Sequence, residues 1–301
     1  MKKNVNRNHI KESLAYRIFT VFNTGFILLY MIICLVPFIH MFALSTSSVA
    51  AANGNRVSLW PVEFTLSAYT EALSDNQILS SLKMSALRVV LGVAIQMLFT
   101  ILAAYPMSRE NKAFPGRKAY VVYIVFTMLF SGGFVPSYLL IVSQLKLANT
   151  VWALVLPNAV PVFNLIILMN FFRQIPKEIE EAAIVDGAGH MTLLTRIYLP
   201  LSMNALLTLV LFACVGHWNA WFDGMIYMRD PIYYPISTFL RVTSDRIQNV
   251  STMEDARLLM RISPRTMIMA YTIICTLPIV CVYPFLQRYV KSGLVLGSVK
   301  G

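Results

Sequence analysis

Ile175-Pro176-Lys177-Glu178-Ile179-Glu180-Glu181-Ala182-Ala183-Ile184-Val185-Asp186-Gly187-Ala188-Gly189-His190, running on to Ile197-Tyr198-Leu199-Pro200, is the stretch that organises this chain. It reads as a helix, a turn and a second helix. Pro176 suits a first helical position, where a missing N–H costs nothing, Gly187 suits a left-handed helix stop, and Pro200 marks the start of the next segment. Glu178 and Glu181, three apart, share a face. Ala182, Ala183, Gly187, Ala188 and Gly189 let another backbone come close. A short exposed hairpin of this kind reads either as a solvated connection or as a rigid knob for a soluble partner, and its setting matters because long apolar runs flank it on both sides.

Six runs have the roughly 20 residues that a helix needs to cross a hydrocarbon core about 30 Å thick. They lie near 18–44, 85–104, 120–142, 151–171, 200–218 and 267–286. Of the 301 residues 57% are hydrophobic and only 13% charged, against about 25% charged in an ordinary soluble domain. The mean hydropathy is +0.64. So few charges cannot cover a soluble surface, which excludes soluble enzymes and nucleic-acid-binding domains. The expected fold is all-α: a polytopic membrane protein of six transmembrane helices in contact with lipid.

The net charge of +11 is therefore read as topology. Fifteen Lys and Arg lie in the N-terminus, around 109–118, in the hairpin stretch 173–196 and in the C-terminus, and nine lie on the other side, six of these in a long loop at 223–266 that also carries five acids. Long loops obey the positive-inside rule weakly, so both termini are expected in the cytoplasm. The chain then divides into a cytoplasmic N-terminus (1–17), a transmembrane domain (18–290) with cytoplasmic helices at 176–199 and external loops at 45–84 and 223–266, and a cytoplasmic tail (291–301). Val49-Ala50-Ala51-Ala52 resembles a signal-peptidase site, but the run before it exceeds the 7 to 15 residues of a signal peptide's core, so a retained first span is expected. The remaining cation, Arg88, either extends its stem to the interface or lines a pathway.

Helix interiors in lipid are normally intact, because an unpaired backbone group finds no water there. Two runs break this rule. The third is interrupted at Ser131-Gly132-Gly133-Phe134-Val135-Pro136 and the fourth at Pro157-Asn158 and Pro161. Both are expected to face the centre of the bundle. Asn158, Asn164 and Asn170 follow at six-residue steps, so at about 100° per residue they form no single stripe and do not all line one pore. Asn158, Asn164 and Gln96 read either as interhelical hydrogen-bond partners or as substrate contacts. His217-Trp218-Asn219-Ala220-Trp221-Phe222 reads either as an interfacial aromatic belt or as a platform for sugar faces. The four cysteines all fall in apolar runs and read as small apolar residues. His9, His40, His190 and His217 lack ligand spacing, so no metal site and no catalytic site is expected.

Glu181-Ala182-Ala183, Asp186-Gly187-Ala188, Ile197, Leu199 and Pro200 together resemble the cytoplasmic coupling signature of permease subunits of bacterial ABC importers. The resemblance extends over nearly the whole chain and is nearest to carbohydrate permeases of the maltose-importer kind. Asn149-Thr150, Trp218-Asn219 and the ending from Tyr283-Pro284-Phe285 to Ser298-Val299-Lys300-Gly301 support it, while Ser131–Pro136 followed by Tyr138 resembles a subgroup associated with oligosaccharides from complex polysaccharides. Asn204 departs from the pattern, since many relatives place a second proline there, and it suggests a less kinked start to the fifth helix.

The resemblance implies the type I importer permease fold and half of a translocation pathway. It also implies a second permease subunit, two ATP-binding subunits that carry the ATP and Mg, and an extracellular or periplasmic solute-binding protein touching loops 56–75 and 223–265. No cofactor is expected on this chain, which has no G-x-x-x-x-G-K-[ST] phosphate loop. ATPase coupling falls to Glu178, Glu181, Ala182, Ala183, Asp186, Gly187, Ala188, Ile197, Leu199 and Pro200, and a second ATPase contact to Lys291, Ser298 and Lys300. The pathway candidates are Gln96, Asn158, Asn164, Trp218 and Asn219. The rivals are a permease for a non-sugar solute, an ion-coupled transporter and a membrane enzyme. An ion-coupled transporter typically needs buried carboxylates, and none of the six runs contains Asp or Glu.

Overall fold

The computed structural model describes residues 13–110, 114–248 and 263–297, with residue 283 and residues 285–297 described by backbone alone. Three helices are long and apolar enough to cross a membrane unaided: α1 (Leu14–Ser45), α4 (Asn76–Ser108) and the last helix, α14 (Pro264–Gly297), through its segment Pro264–Val282. Between α1 and α4 lie the short α2 (Val49–Asn53) and α3 (Ser67–Ser74). Three bent pairs supply the other spans. They are α5 (Arg117–Leu129) with α6 (Phe134–Gln144) at 106°, α7 (Val151–Asn158) with α8 (Val162–Arg173) at 48°, and α10 (His190–Leu201) with α11 (Met203–Asn219) at 80°. The hairpin helix α9 (Lys177–Val185) sits between α8 and α10, and α12 (Phe222–Tyr227) and α13 (Ile236–Gln248) between α11 and α14.

The six expected runs thus match six helical paths, and both expected breaks are present. α1 shows what lipid permits: its side chains are exposed from Leu14 to His40 and become buried only at Ala43–Ser45. α4 shows the opposite. Its buried positions include Ser81, Ser85, Arg88, Gly92, Gln96, Thr100 and Ala104, a stripe at helical spacing made of small and polar residues. Lipid supplies no hydrophobic drive between helices, so close backbone approach and hydrogen bonds hold α4 against α8 and α11. Large apolar side chains gather at the hairpin end, where Leu165, Leu168, Phe172, Leu193, Leu194 and Leu209 pack on Ala104 and Tyr105.

Three expectations need correction. α4 begins at Asn76, nine residues before the apolar run, because the Asp75 carboxylate caps it by accepting from Gln77 N at 2.8 Å; part of the expected external loop is therefore helix. Pro176 is the N-cap residue at ψ 134°, and Lys177 opens the helix. Pro200 lies inside α10, and the π-helical turn Leu194–Tyr198 just before it loosens the place where its ring would meet the preceding carbonyl. The expected straighter start of the fifth span is also absent. The chain turns by 80° where Ser202 leaves helical geometry at φ −103° and ψ 15°, without a second proline.

Candidate functional site

The hairpin forms as its sequence requires. α9 ends at Val185, and Gly187, at φ +81°, reverses the chain. Ala188 N–H donates to Ala183 O and Gly187 N–H to Ile184 O, both at 2.9 Å, which closes the last turn with paired bonds. Glu178, Glu181, Ala182, Asp186, Gly187 and Pro200 are exposed, whereas Ala183, Ala188, Ile197 and Leu199 are half-buried and pack on the apolar cluster beneath. The ten coupling candidates therefore split into an outward face and an anchoring face. Val185 and Met191, which the sequence reading did not single out, stand at the tip with 86% and 68% exposure. Large apolar side chains set among acids on a projecting tip form a surface suited to docking.

The hairpin is tied to α4 through Glu180, an acid of the hairpin whose inward partner the sequence did not reveal. Its carboxylate pairs with Arg109, which caps α4, and accepts from the Tyr198 hydroxyl. Arg109 Nη1 donates to the same hydroxyl at 3.3 Å. Tyr105 and Phe172 meet the Tyr198 ring edge-on at 5.1 and 5.4 Å, and the Arg109 guanidinium lies 5.3 Å over Tyr105. For Arg109, burial acts to lower the pKa, but the Tyr198 bond and the charges around it raise it on balance. Lys177 and Glu110 add an exposed pair at the rim, which raises the lysine's pKa. The detectable signal was an arginine at the very end of an apolar run, facing a loop with three glutamates.

A second cleft, of about 410 Å³, opens within the membrane span between α4, α7, α8 and α11. Gln96, Asn158 and Asn164 line it together with Arg88, Phe163, Phe212 and His217. Asn170 is exposed elsewhere, as the six-residue spacing predicted, while the 48° break brings Asn158 and Asn164 into one cleft. Gln96 Nε2 donates to Asn158 O at 3.2 Å, so the interhelical bond is present as well. Trp218 and Asn219 do not join this cleft. Trp218 Nε1 donates to Cys275 O at 3.0 Å and fastens α11 to α14. Asn219 lines a separate cleft with Trp221 and Arg241. The aromatic stretch is accordingly neither one belt nor one platform.

Arg88 does not reach the interface. Its side chain is fully buried, with Nη1 donating to Asp223 Oδ1 at 3.1 Å and to Ala220 O at 2.9 Å, and Nη2 pairing with Asp223 Oδ2. A carboxylate just beyond the fifth run supplies the partner that a count of acids within the runs could not reveal. Asn149, at φ +59°, accepts from Arg229 N–H at 2.6 Å and so fixes the chain after α12. Lys291 is described by backbone alone, and Ser298 and Lys300 lie outside the described residues.

A bundle of spans with a braced, projecting hairpin and a polar cleft at membrane depth is an arrangement suited to a membrane transport subunit. Residues 93–295 match the family of binding-protein-dependent transport system inner membrane components, and the chain belongs to that family. It is 39% identical over 292 residues to the polygalacturonan/rhamnogalacturonan transport system permease protein YtcP of Bacillus subtilis, covering 95% of this chain and 99% of that one. It is 29% identical to the trehalose/maltose transport system permease protein MalG of Thermococcus litoralis, covering 97% and 100%. Its fold superposes with a TM-score of 0.83, at 31% identity and over 92% of this chain and 98% of the other, on a chain in the crystal structure of a bacterial ABC transporter involved in the import of the acidic polysaccharide alginate. The chain is thus a multi-pass membrane permease of the ABC importer class.

Proposed function

We propose that this permease forms half of an ATP-driven import pathway for an oligosaccharide delivered by an external binding protein. The observation that carries the reading is the hairpin: an exposed acidic and apolar tip on a small-residue turn, braced to the second span. ATP and Mg belong to two partner ATPase subunits. Their closure pushes on Glu178, Glu181, Ala182, Asp186 and Gly187, while Ala183, Ala188, Ile197 and Leu199 carry the push into the bundle. Lys291, Ser298 and Lys300 form a second ATPase contact. Both termini and the hairpin face the cytoplasm, in line with the excess of basic residues on that side. The carbohydrate reading draws on relatives that act on polygalacturonan and rhamnogalacturonan, on trehalose and maltose, and on alginate.

The test is a gentle-detergent pull-down of tagged protein from its native membrane, with every co-purifying chain identified. A second permease, an ATPase with a phosphate loop and a sugar-binding protein are expected. If the chain purifies alone and moves solute in liposomes without ATP, the reading is wrong.

A further inference from the structure

A further cleft, of about 410 Å³, lies behind the hairpin, where α4 and α8 end and α5 begins. Its lining holds four cations and three carboxylates, and they are unequally matched. Arg109 is paired with Glu180 and Lys177 with Glu110. Arg117 and Arg173 pair with no carboxylate among the described residues, and the third acid, Glu181, is exposed. Both arginines turn instead to one backbone oxygen near the end of α4. Arg117 Nε donates to Met107 O at 2.7 Å and Arg173 Nη2 to the same oxygen at 3.3 Å, so the two nitrogens lie no more than 6.0 Å apart. One arginine is enough to satisfy a free carbonyl at a helix end, and two brought together there repel each other. Both terminal nitrogens of Arg117, and Nε and Nη1 of Arg173, meet no acceptor among the described residues. Two guanidiniums converging with paired donors to spare call for an anion.

The surroundings decide which anion. α5 starts after Gly116 with no capping side chain and no acid in its first turn, and it opens on two cations, Arg117 and Lys118. Cations are unfavourable at the positive end of a helix dipole, and an anion held nearby offsets that. Beyond them the helix is apolar and largely uncovered. Val121 and Ile124 touch the bundle, while Tyr123, Phe126 and Leu129 are 67%, 54% and 71% exposed. Tyr120 stacks on Phe114 at 5.4 Å beside the cations, the placement of amphipathic rings at a membrane surface. With 13 residues α5 rises about 20 Å, more than the depth of one leaflet in a hydrocarbon core about 30 Å thick. A basic cleft thus stands at the foot of an exposed apolar helix as long as a leaflet is deep. A free phosphate meets only the first, and an acidic protein segment leaves the second bare. A zwitterionic lipid brings a cation of its own toward the arginines. An anionic phospholipid matches charge and hydrocarbon together.

We propose that this cleft is a site for the phosphate of an anionic phospholipid, held between Arg117 and Arg173 with an acyl chain along α5. The lipid then lies against the back of the hairpin, because Arg109 and Glu180 line the same cleft. The assignment does not depend on which solute is carried. It is tested on the full-length permease with its co-purifying chains in a neutral detergent, offered equal amounts of phosphatidylglycerol and phosphatidylcholine, with the retained lipids counted by native mass spectrometry. The wild type is expected to retain phosphatidylglycerol about tenfold over phosphatidylcholine, and Arg117→Gln and Arg173→Gln each to remove that preference, the scale of one charge-assisted hydrogen bond. Lys118→Gln, one residue along α5 but outside the cleft, is expected to keep it. Where glutamine prevents assembly, Arg117→Lys and Arg173→Lys keep the charge but lose the paired donors, and a loss of about threefold is expected. No preference in the wild type overturns the site. An equal loss in Lys118→Gln overturns it too, by reducing the binding to diffuse attraction toward a basic surface. Inorganic phosphate that protects the permease from heat as well as phosphatidylglycerol does, through the same two arginines, assigns the cleft to a free anion and overturns the lipid. Loss of a companion permease from the lysine variants assigns it to subunit packing, with the same consequence.

Discussion

Two arginines on one helix behave differently. Arg88 and Arg109 stand 21 residues apart along α4, about 32 Å, which is close to the thickness of a hydrocarbon core. Each pairs with a carboxylate from another element, Asp223 at one end and Glu180 at the other. Arg88 is fully buried and holds both carboxylate oxygens and a carbonyl of the α11–α12 connection. Arg109 shares Glu180 with Tyr198, so that α4, α9 and α10 meet at one knot behind a tip that projects from the bundle. The first pair closes a corner of the protein on itself. The second connects the bundle to the hairpin surface proposed above for docking.

The largest effect belongs to the closed corner. Removing one partner of a buried pair strands the other charge and costs about 3–5 kcal/mol, whereas replacing both by apolar groups is often neutral. Arg88→Met is therefore expected to collapse the fraction of protein that stays monodisperse after heating in detergent. The double variant Arg88→Met with Asp223→Leu should recover most of it. If the double variant is as damaged as the single one, the pair does more than neutralise itself, and the corner is not merely structural.

At the hairpin, Gly187→Val comes next. A β-branched residue at φ +81° costs roughly 1–2 kcal/mol and opens the turn, so the permease should remain inserted but lose its ATPase in a pull-down. Glu181→Lys, on the exposed face, is expected to lose the ATPase by charge reversal with no change in thermal stability. Wild-type retention of ATPase by both variants would count against docking at this surface.

The inner knot should respond more weakly and in a coupled way. Glu180→Gln and Tyr198→Phe each weaken charge-assisted bonds worth about 1.5–3 kcal/mol. Because both act on one network, the double variant should cost less than the two single losses added. Transport per ATP is expected to fall in all three, since the push no longer reaches α4 intact. Additive losses of stability with normal transport yield would separate the knot from coupling and remove the contrast with Arg88.

What could be read from the sequence follows the same division. The hairpin was legible because its conformation is set locally: a glycine that must be left-handed and small residues at fixed spacing leave few alternatives. The breaks at 131–136 and 157–161 were legible for the same reason. Glu180 was not, because Glu178 and Glu181 satisfy the face argument equally well, and only the position of Arg109 in space decides which carboxylate turns inward. The ion pair of Arg88 was not legible, because its partner lies 135 residues away in a connection. On a straight helix Asn158 and Asn164 would fall on different faces, and the 48° bend between α7 and α8 brings them into one cleft. Hydropathy also set α4 to begin too late, because Ser80, Ser81 and Lys83 in its first turns are polar.

The smallest expected effect probes the limit of this comparison. Lys177 and Glu110 also pair across the hairpin, but their side chains are 69% and 62% exposed, and water screens such a pair almost completely. The lysine's raised pKa records a hydrogen bond to Glu110, not a contribution to stability. Lys177→Ala is expected to leave the melting temperature of the isolated permease unchanged at low and at high salt. The same substitution in the assembled importer is a sharper question, because a docked partner that covers this rim removes the water that makes the pair weak. A salt-sensitive loss of ATPase affinity in Lys177→Ala would then extend the docking surface from the tip of α9 to its first turn. No loss in either setting confines the push to the Gly187 turn and the Glu180 knot behind it.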